Sequence, residues 1–198
     1  MIEFKNLKED APYLIFKNKY DEALMSGQAN VQAVAISSFN HQKNEVDARF
    51  VNLKFVSMDK FIFFSNYNSP KSYDFNSHNQ ISATFYWSAI NVQIRMKAKI
   101  KKTSVQFNNT YFKDRSKNKN ALAISSNQSK EISSYDEVLL KYDNTKKIKN
   151  LLACPSYWGG FSFVPYYFEF WEGDESRINK RNVYKKNNED WEHFMLEP

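Results

Sequence analysis

The sequence predicts an antiparallel β-barrel decorated by helices, mainly β and in a single domain spanning 1–198. Three observations support this. Segments rich in β-branched and aromatic residues recur along the chain as about seven strand candidates, helical patterns fall between them without the regular strand–helix alternation of a parallel sheet, and neither a repeat nor a linker divides the 198 residues. Hydrophobic residues make up 42% and aromatics 17% of the chain, enough apolar surface for a core and too much for a disordered polymer.

Asp10-Ala-Pro-Tyr opens a helix over about 10–26, with Asp10 placed to cap and Pro12 tolerated in the first turn. Tyr13, Phe16, Tyr20 and Leu24 recur at helical spacing as one apolar stripe. VQAVAIS (31–37) alternates as a strand, and 40–44 reads as a hairpin loop. RFVNLKFV (49–56) and FIFFS (61–65) make a second hairpin about a turn at 57–60. Ser69-Pro70-Lys71 is a helix start, with serine at the cap and proline at the first helical position. Residues 81–87 and 92–102 are strands; 104–114 and 134–149 are helices, the second opening with the capping-box pattern Ser134-x-x-Glu137. The end, about 157–198, is β-rich again through FSFV (161–164), FEFW (168–171), NVYK (182–185) and 191–196.

Several function classes fall away. Only four glycines are present, and neither dinucleotide nor P-loop spacing occurs. His41, His78 and His193 lie far apart without i, i+4 partners, so no metal site is expected. The lone Cys154 precedes Pro155 and reads as a structural thiol in a reducing compartment. With no apolar run near about 18 residues and no charged-then-apolar leader, a cytoplasmic, unexported protein is expected.

The net charge of +6 favours an anionic partner. Nucleic acid is disfavoured, because the lysines are dispersed. The densest run, 141–149, shares its helix with Asp143 and reads as a solvated face. Cations within strand and helix patterns are more informative. Arg49 and Lys54 have odd parity, so either a bulge breaks the strand register or the two cations serve different anions. The start at Ser69 and Lys71 offers a helix N-terminus to a phosphate. Tyr111 and Arg115 share an i, i+4 face, and Gln128-Ser129 offers neutral donors and acceptors to a heterocycle edge.

RFVNLK, FFSNYNSPK, FYW…VQI, YFKDRS, SSNQS, WGGF and EFWEGDESRINKR occur in this order. Together, over about Pro12 to Pro198, they resemble the pyridoxamine 5′-phosphate oxidase family. WGGF…EFW…R-x-x-x-R is the most specific part. The resemblance implies a homodimeric FMN-binding split β-barrel that oxidises pyridoxine or pyridoxamine 5′-phosphate to pyridoxal 5′-phosphate. Hydride would pass to the flavin and O₂ would serve as electron acceptor. It implies that Arg49 and Lys71 hold the FMN phosphate, with Ser69 capping nearby. Phe64 and Ser65 would line the flavin, and Gln93, Gln128 and Ser129 would hydrogen-bond its ring or ribityl chain. Trp171 and Arg181 would complete the cofactor site from the partner subunit. For substrate, Lys54, Tyr111 and Arg115 match the phosphate-binding set, and Arg177 matches the arginine beside the pyridine ring.

Departures stand beside the matches. The family's arginine–x–histidine appears as Arg177-Ile178-Asn179, so the catalytic pair is Arg177 and Asn179. Asparagine carries no titrating proton near neutral pH. The family's substrate-binding serine falls at Lys119, and the basic residue before Lys71 is Pro70. The chain also reads as lacking the N-terminal lid of some members. These departures leave a second reading open, a flavoprotein of the same fold acting on another ring substrate, as in secondary metabolism.

Overall fold

The computed structural model describes residues 1–147 and 150–198. Along the chain run β1 (Glu3–Lys5), α1 (Ala11–Met25), β2 (Ala33–Asn40), β3 (Glu45–Ser57), β4 (Lys60–Asn66), α2 (Pro70–Ser77), β5 (Gln80–Trp87), β6 (Val92–Lys102), α3 (Val105–Asp114), α4 (Lys117–Ser125), α5 (Tyr135–Lys146), β7 (Trp158–Glu172), β8 (Lys180–Asn187) and β9 (Asp190–Leu196). The chain is mainly β with helices at its connections. Pairing runs β3–β2–β5–β6–β7, and β4 joins β7 back to β3, so hydrogen bonding returns on itself. β8 and β9 extend from β7 as an antiparallel ribbon.

Alternation along β5 and β6 places Ile81, Ala83, Phe85 and Trp87 with Val92, Ile94, Met96, Ala98 and Ile100 in the core. α1 closes over it: Phe16 meets Phe61, Phe85 and Trp87, while Tyr13 meets Phe61, Phe168 and Trp191. The stripe differs from expectation at its end, where Ala23 is buried and Leu24 is 40% exposed. Ala23 lies three residues after Tyr20, so the buried line follows the i+3 row once the helix has crossed the sheet.

Other differences are local. β2 begins later than expected, because Asn30 is left-handed (φ 51°) and its carbonyl accepts from Ala33 N–H, prolonging a turn. β1 is too short to carry a pattern and gains its structure from parallel pairing with β3. α4, in the Asn- and Lys-rich KNKNALAIS, is carried by its Ser116 cap and by buried Asn120 and Ala121. The two separate pieces expected at 161–171 are one strand, β7. It passes through Pro165 at a bulge, beyond the reach of β4, where no partner needs the missing N–H.

The caps also differ. Asp10 and Ser69 occupy N-cap positions, but neither side chain accepts a cap hydrogen bond. Asp10 pairs with Lys8, and the Ser69 hydroxyl donates to Asn66 O at 2.7 Å. Ser134 does cap α5, accepting from Glu137 N–H. The Glu137 carboxylate instead takes the Ser133 hydroxyl and Lys141, so only half of the capping box forms. The last two positions of that expected helix, 148 and 149, lie outside the described residues.

Candidate functional site

A cleft of about 720 Å³ opens beside β3 and β4, bounded by the start of α2, the end of α3 and the stretch after α4. The question posed by Arg49 and Lys54 is answered by the strand register. Leu53 pairs with Phe63 and Phe55 with Ile62, so Lys54 is the extra residue of a bulge. Both cations therefore line the same cleft despite their odd spacing.

Its cations fall into two groups. Lys71, 7% exposed on the first turn of α2, reaches Ser69 Oγ at 3.2 Å and Ser65 Oγ at 3.3 Å. Burial, then the repulsion of Arg49, pushes its ammonium below the usual lysine range. Arg49 is itself fixed, donating to Ser38 Oγ at 2.7 Å and Ile36 O at 3.3 Å, with Asp47 in contact and buried Asp74 at 3.6 Å. The Ser69 hydroxyl is thus turned toward lysine instead of the helix amides.

Lys54, Arg115 and Lys119 form the second group. Burial lowers the Lys54 pKa first, followed by the charges of Lys119 and Arg115. Arg115 ends α3 with its guanidinium 4.4 Å above the Trp158 ring, and burial lowers its pKa as well. Its Nη1 is buried with no hydrogen-bond partner among the described residues. Among the described residues, no carboxylate pairs with Lys54, Lys71, Arg115 or Lys119. Like charges held together without counter-ions cost free energy that an arriving anion returns.

The cleft also carries a flat aromatic wall. Phe64 stacks on Tyr111 at 3.9 Å and on Trp158 at 5.1 Å, with interplanar angles of 18° and 9°. Burial raises the Tyr111 hydroxyl pKa, so it remains a proton-bearing donor. Gln128 is pinned, its Oε1 accepting from Ser65 Oγ at 3.1 Å and Asn66 N at 3.2 Å, which leaves its NH₂ group to donate. Ser129 follows in a left-handed conformation (φ 67°) on the cleft wall.

The structure does not bring every expected residue there. Gln93, Trp171 and Arg181 are direct cross-strand neighbours on β6, β7 and β8, outside the cleft of their own chain. Arg181 donates twice to Glu169 Oε1, at 3.0 and 2.9 Å, and once to Glu197 O at 2.9 Å. Arg177 and Asn179 lie beside this row, in the turn between β7 and β8. Arg177 is exposed with φ 64°, and half-buried Asn179 accepts from Asp174 N–H at 3.1 Å.

Sequence reasoning missed Trp158 as the surface under Arg115, although it opens the WGGF segment. It also missed Asp74 and Glu169, the buried carboxylates that hold Arg49 and Arg181; no spacing rule marks either. Cys154 is half-buried, its thiol pushed up by burial. Among the described residues there is no metal-binding cluster, and no helix is long and apolar enough to cross a membrane.

The chain is 31% identical over 184 residues to the pyridoxine/pyridoxamine 5′-phosphate oxidase of Coxiella burnetii, covering 92% of this chain and 93% of that one. It belongs to the pyridoxine/pyridoxamine 5′-phosphate oxidase family. The corresponding oxidase of Cytophaga hutchinsonii is 34% identical, with 88% of this chain and 82% of that one covered. Residues 158–198 match the model of the pyridoxine 5′-phosphate oxidase C-terminal dimerisation region. This stretch contains the Trp171, Arg177 and Arg181 segments. In fold, the family member superposes on PhzG of Burkholderia lata, solved with tetrahydrophenazine-1-carboxylic acid. The TM-score is 0.89 at 20% identity, with 94% of this chain and 92% of that one covered. A pyridoxamine 5′-phosphate oxidase-related, FMN-binding protein of Nostoc punctiforme gives a TM-score of 0.77 at 11% identity, covering 92% and 97%.

Proposed function

We propose that this chain is an FMN-dependent oxidase that converts pyridoxamine or pyridoxine 5′-phosphate to pyridoxal 5′-phosphate with O₂ in the cytoplasm. It would act as a homodimer of split β-barrels. The observation carrying this reading is a single cleft with two separate groups of cations, in which Lys71 on one side and Lys54, Arg115 and Lys119 on the other pair with no carboxylate among the described residues. A phosphorylated cofactor and a phosphorylated substrate would use one group each.

The residues fit FMN. Its phosphate calls for a buried, unneutralised cation at a helix start, as Lys71 is; its ring calls for a flat wall and neutral donors, as Phe64 and Gln128 are. A cleft of this size lies within the range of small-molecule sites, about 300–1,000 Å³. When bound, FMN would supply hydride acceptance and reoxidation by O₂.

The protein's contribution is position and charge. Arg49 and Lys71 hold the cofactor phosphate, with Ser69 capping nearby; Phe64 and Ser65 line the flavin, and Gln128 and Ser129 hydrogen-bond its ring or ribityl chain. Lys54, Tyr111, Arg115 and Lys119 hold the substrate phosphate. The row Gln93–Trp171–Arg181 faces the cleft of a second copy, and Arg177 from that copy orients the substrate ring. Assembly of two half-sites would account for residues on the β7–β8 hairpin standing away from their own cleft.

A different ring substrate is the second reading, favoured by Asn179, which brings no titrating proton, and by the third cation, Lys119. One experiment separates the two. Purified protein is examined for a flavin absorption spectrum and offered both B6 phosphates. A flavin spectrum with pyridoxal 5′-phosphate formation supports the first reading, flavin without turnover supports the second, and a colourless protein that takes up no FMN overturns both.

A further inference from the structure

The turn from β7 to β8, residues 173–179, is tied at several points. Gly173 N–H donates to Asn91 O at 3.0 Å, anchoring the start. The Asp174 carboxylate accepts from Ser176 N–H at 2.8 Å and from the Ser176 hydroxyl. Arg177 N–H donates back to Asp174 O at 3.0 Å. The widest tie is from Asp174 N–H to Asn179 Oδ1, 3.1 Å across five residues. Within this frame Arg177 adopts φ 64°, a region that residues with a Cβ seldom occupy unless their surroundings enforce it. Its side chain is exposed and pairs with no carboxylate among the described residues.

We propose that Asn179 is a positioning residue for Arg177. Its amide oxygen holds Asp174 N–H, closes the turn and keeps the arginine backbone left-handed, so the guanidinium leaves the hairpin in one direction. The proposal rests on the reading of Arg177 as substrate-facing. An unpaired arginine on a relaxed turn samples many directions and must be ordered when substrate arrives; a turn fixed beforehand removes that cost. One lone pair of the Asn179 oxygen is engaged by the turn, which fixes the orientation of the amide. An acceptor at position 179 is the requirement. Aspartate retains it, whereas alanine leaves Asp174 N–H without its partner and frees Arg177 to relax to negative φ.

The test has two arms on the full chain. Hydrogen exchange at the Asp174 amide, measured without cofactor or substrate, should show protection in wild type and Asn179→Asp and loss of protection in Asn179→Ala. A double-mutant cycle on kcat/KM for pyridoxamine 5′-phosphate then compares Asn179→Ala, Arg177→Ala and their combination. Asn179→Ala should cost on the order of 10-fold, expressed mainly in KM, and nothing further when Arg177 is absent. Asn179→Asp should retain most of the activity. An equal loss with and without Arg177, or an unprotected Asp174 amide in wild type, overturns the proposal. A wild-type protein that fails to oxidise either B6 phosphate overturns the substrate reading instead, and the exchange arm still decides whether Asn179 anchors the turn.

Discussion

Replacing Lys71 by methionine separates what binding gains from what the empty site costs. Lys71 is 7% exposed, its ammonium donates to the hydroxyls of Ser65 and Ser69, and it is repelled by Arg49. Because its pKa is lowered in the fold, the unfolded chain binds that proton more tightly. The charge therefore opposes folding below the lowered pKa, and the penalty fades as pH rises toward the unfolded value of 10.5. Lys71→Met removes the penalty while keeping most of the apolar stem, so cofactor-free protein should be at least as stable as wild type. For FMN the sign reverses. A hydrogen bond to a charged group contributes about 1.5–3 kcal/mol, and on the proposed function Arg49 would still face the phosphate. A loss of about 2–3 kcal/mol, or about 30- to 140-fold in Kd, is expected. Flavin-fluorescence quenching gives Kd, and thermal unfolding with and without FMN gives the two stabilities. An unchanged Kd, or destabilised cofactor-free protein with intact FMN affinity, would refute the reasoning.

Three further outcomes are expected. Lys119→Ser should weaken the phosphorylated substrate by only about two- to fivefold, because Lys119 is exposed; the difference should shrink in high salt, and an effect as large on the dephosphorylated analogue would contradict a phosphate role. Gly159→Ala should destabilise by about 1–3 kcal/mol, read from urea midpoints, since a Cβ there runs into Tyr67 and Asn108. Those groups are locked by Asn108 Nδ2 to Tyr67 Oη and Tyr67 Oη to Gly160 O, both 3.0 Å, so neither can yield; an unchanged midpoint would sink this account. Finally, mixing Lys71→Ala and Arg181→Ala chains, each impaired alone at limiting FMN, should raise flavin-dependent turnover, because one of the two composite sites in a mixed dimer receives both intact halves. No recovery in verified mixed dimers would count against a site shared between chains.

The sequence made the framework legible where a pattern repeats. β5 and β6 alternate so regularly that their buried residues could be read directly. The long β7 was harder, because Pro165 breaks the alternation and its tolerance depends on where β4 stops pairing. Ser69 shows the limit at shorter range. Its position before proline marked a helix start, yet its hydroxyl is drawn to Asn66 O and Lys71, partners that local spacing does not reveal. α4 carries almost no periodic signal; its buried Asn120 is held by donating to Phe112 O and Leu151 O, 8 and 31 residues away.

The cleft poses the same problem at a higher level. Strand parity left Arg49 and Lys54 with two alternatives, and they prove compatible: the bulge at Lys54 brings both to one cleft, while their neighbours divide them into separate groups. A bulge depends on how two strands align, so parity within one strand cannot reveal it. The carboxylates are further from view. Asp74 on α2 and Glu169 on β7 are nearly inaccessible to solvent, and each faces arginine from a different element. Removing such a carboxylate would leave an arginine without its fixed partner, so each acts on the site through that arginine's direction. The directions of Arg49 and Arg181 are therefore set by partners from other elements as much as by their own positions. Asn179 follows the same logic on a turn: on our proposal its effect on chemistry would be exerted through the backbone of Arg177, two residues away.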